Sequence, residues 1–166
     1  TKTGGSGLTL SGANTYSGGT RLTWGELYLG GGNVLGSGVL EFGGGVIASD
    51  GATARTVSNA LLFDGTQANF GVIANGQTGV LTFTGAGTIA ADTVFYSANQ
   101  THELRGALGG PGKLTKTGGS GLILSGANTF TGGVEVQQGT LSLAGGKAIL
   151  DTAGAVSYTH LRAHET

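Results

Sequence analysis

Apolar residues in this chain come in short bursts, many of them alternating with polar ones. Val39-Leu40-Glu41-Phe42, Ala60-Leu61-Leu62-Phe63, Val80-Leu81-Thr82-Phe83 and His102-Glu103-Leu104 are examples. Successive side chains of a strand point to opposite faces, so each burst predicts a strand with one face buried and one in solvent. Between the bursts lie turns bearing glycine, asparagine and serine. One leucine from each burst (Leu8, Leu27, Leu40, Leu61, Leu81, Leu104, Leu122, Leu141) gives spacings of 19, 13, 21, 20, 23, 18 and 19 residues, a mean of 19. A period near 20 with one strand in each period predicts a solenoid, one rung per period. Stacked strands lie about 4.8 Å apart, so seven or eight rungs would make a rod roughly 35 Å long.

The period contains a true duplication. Thr1 to Gly32 reads TKTGGSGLTLSGANTYSGGTRLTWGELYLGGG, and Thr115 to Gly146 reads TKTGGSGLILSGANTFTGGVEVQQGTLSLAGG. At an offset of 114 residues, 21 of 32 positions are identical. Leu22 is matched by Val136, Leu27 by Leu141 and Leu29 by Leu143, whereas Arg21 becomes Glu135 and Tyr28 becomes Ser142. One face is held apolar while the other accepts a reversed charge, which marks the second as solvent. Leu8, Leu10, Leu27, Leu29, Leu122, Leu124, Leu141 and Leu143 are expected to point inward. Asn14 and Asn128 share a Ser-Gly-Ala-Asn-Thr context, which suits either a turn residue or a stacked amide ladder.

Composition narrows the class. Glycine takes 36 of 166 positions, threonine 23, proline one, and cysteine and methionine none. Glycine and threonine are poor helix formers, so a helical bundle is excluded, and the glycines keep no three-residue period, so collagen is too. A hydrophobic share of 38% with a net charge of −1 argues against disorder. Only 10% of residues are charged, and they are dispersed singly, leaving no footprint for a phosphate backbone. No apolar run reaches the roughly 18 residues of a membrane-spanning helix.

The string Leu114-Thr-Lys-Thr-Gly-Gly-Ser-Gly-Leu-Ile-Leu-Ser-Gly-Ala-Asn-Thr-Phe-Thr-Gly-Gly133, followed by Gly139-Thr-Leu141, resembles the autotransporter-associated β-strand repeat, also called the passenger-associated transport repeat. Thr1 to Leu29 resembles it equally. The resemblance implies an all-β, right-handed parallel β-helix, a single-stranded solenoid of the pectin-lyase-like kind. It also implies a stalk or passenger segment of an exported bacterial surface protein, supporting adhesion or secretion, with no catalytic residue to transfer. Residues 1–155 would form the β-helix, with repeats at 1–32 and 115–146 and a spacer at 33–114. Expected partners are neighbouring repeats of the same longer chain, and surface glycans or host and matrix surfaces. The expected location is extracellular or on the bacterial outer-membrane surface, although no leader, barrel or anchor is read in this stretch.

The segment 156–166 contains no glycine and two of the three histidines, and it reads as a non-native, disordered tail. His160 and His164 have the i, i+4 spacing of a metal pair, but they lack a third ligand. A carbohydrate-binding or polysaccharide-degrading β-helix is the alternative to a stalk. Degradation would need clustered carboxylates, and Asp50, Asp64, Asp92 and Asp151 are isolated in sequence, while Glu41 should project outward as a solubilising residue. Gly-Gly-Ser-Gly-Leu at 4–8 and 118–122 misses a nucleophile elbow by its last residue, and Gly112-Lys113-Leu114 is no phosphate loop. The threonine pairs Thr1/Thr3, Thr82/Thr84 and Thr115/Thr117 are too far apart for an ice-binding ladder. No catalytic, metal or cofactor site is assigned. Trp24 and Tyr28 remain as candidate ligand contacts, Trp24 because the second copy has Gln138 there; Tyr16, matched by Phe130, is expected to pack.

Overall fold

The computed structural model describes residues 1–65, 67–71, 76–144 and 157–158. The first turns hold β1 (Gly7–Leu10), β2 (Thr20–Leu22), β3 (Glu26–Leu29), β4 (Leu40–Phe42), β5 (Val46–Ser49) and β6 (Arg55–Val57). The middle holds β7 (Leu61–Asp64), β8 (Gln67–Phe70), β9 (Leu81–Phe83), β10 (Gly87–Ala91), β11 (Thr93–Ser97) and β12 (His102–Leu104). Then come β13 (Leu108–Gly109), β14 (Leu114–Thr117), β15 (Gly121–Leu124), β16 (Val134–Val136), β17 (Thr140–Leu143) and β18 (Ser157–Tyr158). There is no helix among the described residues.

The strands form three sheets in which neighbours come from successive turns. The first face stacks β2-β4-β7-β10-β13, the second β1-β3-β5-β8-β11-β14-β16-β18 and the third β6-β9-β12-β15-β17. Every strand pairing is parallel. This is a parallel β-helix of three faces, with six turns between β1 and β16. The three faces enclose one apolar core, in which phenylalanines stack along the axis. Phe42 and Phe63, register partners on the first face, have ring centroids 5.0 Å apart at an interplanar angle of 12°. Phe95 approaches Phe63 to 4.7 Å, and Phe70 approaches Phe83 to 5.2 Å.

Turns are longer than the leucine spacing implies. Register partners are separated by 19 residues at Leu8 and Leu27, by 21 at Leu40 and Leu61, and by 27 at Phe70 and Ser97. The chosen leucines change face twice, from Leu27 to Leu40 and from Leu61 to Leu81. Each of those steps covers only part of a turn, which shortened the apparent period.

The duplicated strands keep their bounds at the 114-residue offset, β1 to β15, β2 to β16 and β3 to β17, yet each sits one face further round. The first copy places β1 and β3 on the second face, and the second copy places β15 and β17 on the third. The offset is therefore five and one-third turns. What the repeat encodes is the step from one strand to the next, not a particular face.

Of the eight leucines expected inside, Leu27, Leu29, Leu122, Leu124 and Leu141 are buried, and Leu10 and Leu143 are partly buried against the core. Leu8 departs from expectation: it is 42% exposed. It lies in the same inner lane as Leu27, but β1 is the outermost strand of its face, with no described strand beyond it. Tyr16 departs likewise, 39% exposed, while its counterpart Phe130 is sealed at 1%. The segment 156–166, with His160 and His164, lies outside the described residues apart from Ser157–Tyr158, which pairs with β16.

Candidate functional site

The charged side chains mostly meet one another on the outer faces. Arg21 on β2 bridges Glu41 on β4 (3.0 Å) and Asp64 on β7 (3.2 Å). Its counterpart Glu135 on β16 instead meets Lys113 (2.9 Å) and accepts a bond from Gln137 Nε2 (2.8 Å). The charge reversal between the copies is thus matched by a reversal of partner. Those partners hold the Glu135 carboxyl below its usual range, Gln137 first and then Lys113, and Glu135 in turn raises Lys113. Asp50 pairs with Arg55 at 2.9 Å, and Asp92 accepts the Lys113 backbone N–H at 2.9 Å. Glu41 does project outward, but as half of an ion pair. Glu41 and Asp64 thus share one arginine, and no group of three or more His, Asp or Glu that could hold a metal ion gathers among the described residues. The third face presents Thr56, Thr82, Glu103, Ile123 and Ser142 in one outward lane, which is no threonine ladder.

The asparagines tie turn to turn. Asn14 Nδ2 donates to the Val34 carbonyl (2.7 Å), Asn59 Nδ2 to those of Gly38 (2.7 Å) and Gly36 (3.1 Å), and Asn128 Oδ1 accepts the Leu108 N–H (2.8 Å). Each clips its turn to the backbone of an adjacent one, Asn14 to the turn after it and Asn59 and Asn128 to the turn before, a role between a lone turn residue and an amide-to-amide ladder.

Sequence reasoning missed two buried lysines at equivalent positions, Lys2 and Lys116. Leu114 and Lys116 share the inward side of β14, and Lys116 is fully buried. Its Nζ donates to the carbonyls of Thr117, Gly118 (3.0 Å) and Gln138 (3.3 Å). Lys2 repeats the arrangement with Thr3 (3.0 Å), Gly4 (2.7 Å) and Trp24 (3.2 Å). A glycine in the following turn makes room. A Cβ on Gly25 would stand 2.1 Å from the Gly4 oxygen and 2.6 Å from Lys2 Nζ, and one on Gly139 2.3 Å from the Gly118 oxygen. Both glycines also hold positive φ, 76° and 73°. Burial pushes Lys116 down to about 8. His102, on β12, is buried too; its Nδ1 accepts the Leu81 N–H at 3.0 Å, and burial brings its pKa down to about 4. The available signal was the duplicated Thr-Lys-Thr-Gly-Gly itself, a lysine at the inward parity of its strand.

Trp24 lies in the turn between β2 and β3 and is 65% exposed. With Gly5, Gly25, Glu26, Gly45, Val46 and Asn69 it lines a shallow cleft of about 270 Å³. Tyr28 is half-buried outside the cleft, its hydroxyl donating to Glu26 Oε2. Burial, followed by that bond and the Glu26 charge, raises the phenol to about 12. Of the two aromatic candidates only Trp24 lines the cleft, and Tyr28 meets it through the Glu26 carboxylate.

The profile of the passenger-associated-transport-repeat family matches residues 1–29 and 114–143, the two duplicated segments. The chain is a passenger-associated-transport-repeat protein. It is 31% identical over 139 residues, 83% of its length, to the adhesin BmaC autotransporter of Brucella suis biovar 1 (strain 1330). It spans 3% of that protein's length. No solved structure matches it. Both matched repeats carry the buried lysine and its facing glycine, so the carbonyl cage belongs to the repeat rather than to this chain's spacer. No helix among the described residues is long and apolar enough to cross a membrane.

Proposed function

We propose that this chain is a rod segment of the passenger of an exported bacterial surface protein, spacing or presenting an adhesive region without itself catalysing a reaction. The observation that carries the reading is the continuity of the solenoid: both family repeats and the stretch between them stack as one run of parallel turns. Side chains that could serve chemistry are engaged within the rod, the lysines with carbonyls and Arg21, Glu41 and Asp64 with one another. The likeness to an adhesin autotransporter supports the surface role. Its natural partners would then be the neighbouring repeats of the same longer chain, and its location the outer-membrane surface.

The test is to insert the chain into the passenger of an autotransporter that carries its own leader and barrel, with an epitope beyond the insertion. The reading expects the epitope at the cell surface and about 30 Å further from the membrane, six turns at roughly 4.8 Å each. It also expects no new reducing ends from polysaccharides incubated with the purified chain. An insert that is not displayed, or that cleaves a polysaccharide, overturns it.

A further inference from the structure

The cleft beside Trp24 has a composition that selects its guest. Glu26, Val46 and Asn69 are register partners on β3, β5 and β8, so they form one outward lane along the rod. Gly5, Gly25 and Gly45 recur every 20 residues and line the cleft at the corner that leads into the second face. A Cβ on Gly5 would lie 3.6 Å from the indole Nε1, so glycine there leaves the indole side of the cleft open, whereas Cβ atoms on Gly25 and Gly45 would face inward, toward Lys2 and Leu22. The result is a furrow along the axis, three turns long or about 10 Å, with a ring on one side and a carboxylate and an amide on the other. Trp24 is anchored from beneath, because its carbonyl accepts a bond from Lys2 Nζ at 3.2 Å. The ring is therefore presented on a fixed piece of backbone despite its exposure.

Charge decides among ligands. An anion would meet the Glu26 carboxylate in the furrow. A cation would be drawn by the indole face and by Glu26, but the Lys2 ammonium sits directly behind Gly25, 2.6 Å from where a Cβ would be, and opposes it. A wholly apolar guest would strip water from the Glu26 carboxylate, leaving it the Tyr28 hydroxyl alone, and from the Asn69 amide, leaving it the Gly45 carbonyl alone. A neutral ligand with one apolar face and many hydroxyls suits all the groups. Its C–H face covers the indole, while its hydroxyls donate to Glu26 and bond to the Asn69 amide, which itself is held by its Nδ2 on the Gly45 carbonyl at 2.7 Å.

We propose that the Trp24–Glu26–Asn69 furrow binds a neutral carbohydrate, with a sugar ring stacked on Trp24. The site belongs to the first copy alone, because the second has Gln138 and Thr140 where the first has Trp24 and Glu26. It is independent of the rod reading, since a spacer can carry a sugar contact or lack one.

Trp24 is the sole tryptophan, so intrinsic fluorescence reports from the furrow alone. The purified 166-residue chain is titrated with neutral cello-, xylo-, manno- and chito-oligosaccharides, and separately with a lysine-rich peptide. At least one oligosaccharide series should shift and saturate the emission, with calorimetry giving the same affinity. Trp24→Gln and Glu26→Thr copy the second repeat and should keep the circular dichroism of the parent. By calorimetry Trp24→Gln should weaken sugar binding about tenfold or more, the loss of a stacked ring. Binding undiminished in both variants overturns the site, as does a parent that responds to no oligosaccharide. A response to the peptide but to no sugar overturns the ligand class and makes the furrow a cation site.

Discussion

Replacing Lys116 by methionine tests the carbonyl cage most sharply. The substitution keeps an unbranched chain of similar length but removes the donor that satisfies the carbonyls of Thr117, Gly118 and Gln138. Leaving a buried carbonyl unpaired costs about 1–3 kcal/mol, and the neutral amine has two N–H groups for the three, so it is worth roughly 2–6 kcal/mol to the folded chain. Charge opposes this. Burial depresses the folded pKa to about 8, against about 10.4 in an unfolded chain, which is roughly 3 kcal/mol against the ammonium at neutral pH. Between pH 8 and about 10.4 the unfolded chain binds more protons than the folded one, so the lysine's contribution to stability rises with pH across that window. Lys116→Met should therefore cost at most about 3 kcal/mol at pH 7, and the gap should widen by roughly 3 kcal/mol by pH 10.4. Urea titrations of parent and variant at pH 7, 8, 9 and 10 measure this directly, and other titrating groups cancel in the difference. A gap that is constant with pH, or that narrows, would refute a buried ammonium at this position.

His102 gives the acid counterpart: with a folded pKa of about 4 against about 6.5 unfolded, it should withdraw roughly 3 kcal/mol of stability as pH falls from 6.5 to 4. His102→Leu, followed by urea titration over that range, should flatten this limb. Leu122→Ala should cost roughly 2–5 kcal/mol, whereas Leu8→Ala, at the equivalent position of the half-open first turn, should cost about 1 kcal/mol or less; equal losses would contradict the packing. Gly139→Ala, at a φ of 73° and facing the Gly118 oxygen, should cost more than about 2 kcal/mol, while Gly119→Ala, which meets nothing within 4 Å, should stay within about 0.5 kcal/mol by thermal melting.

The architecture was legible because both of its signals are local. Alternation in Leu27-Tyr28-Leu29 fixes which side of a strand is inward, and the duplication identifies the repeating step. The face on which each copy sits was not legible, because three similar faces accept the same strand sequence and only the summed turn lengths decide among them. The added residues of the turn from Phe70 to Ser97 contribute to that sum without leaving a pattern. Lys116 was missed for a different reason. Hydropathy counts a lysine as solvent, and only the convergence of carbonyls from two turns makes its burial tolerable. Exposure at Leu8 and Tyr16 likewise depends on what stacks over them, which no residue pattern within the strand records. For the site, Trp24 stood out because Gln138 replaces it, but its companions Val46 and Asn69 come from later turns and become neighbours only through the register.

In this solenoid sequence-distant strands lie side by side in parallel register and sequence-adjacent strands do not. The chain has no cysteine, so engineered pairs report cleanly. Thr82 on β9 and Glu103 on β12 are register partners on the outside of the third face, at a separation that a disulfide can bridge. Thr82 and Thr88, on the consecutive strands β9 and β10, belong to different faces. After mild oxidation and mass spectrometry, Thr82→Cys/Glu103→Cys should be cross-linked within the monomer and Thr82→Cys/Thr88→Cys should remain reduced. The opposite outcome, a bridge between β9 and β10 and none between β9 and β12, would mean an antiparallel meander and contradict the solenoid.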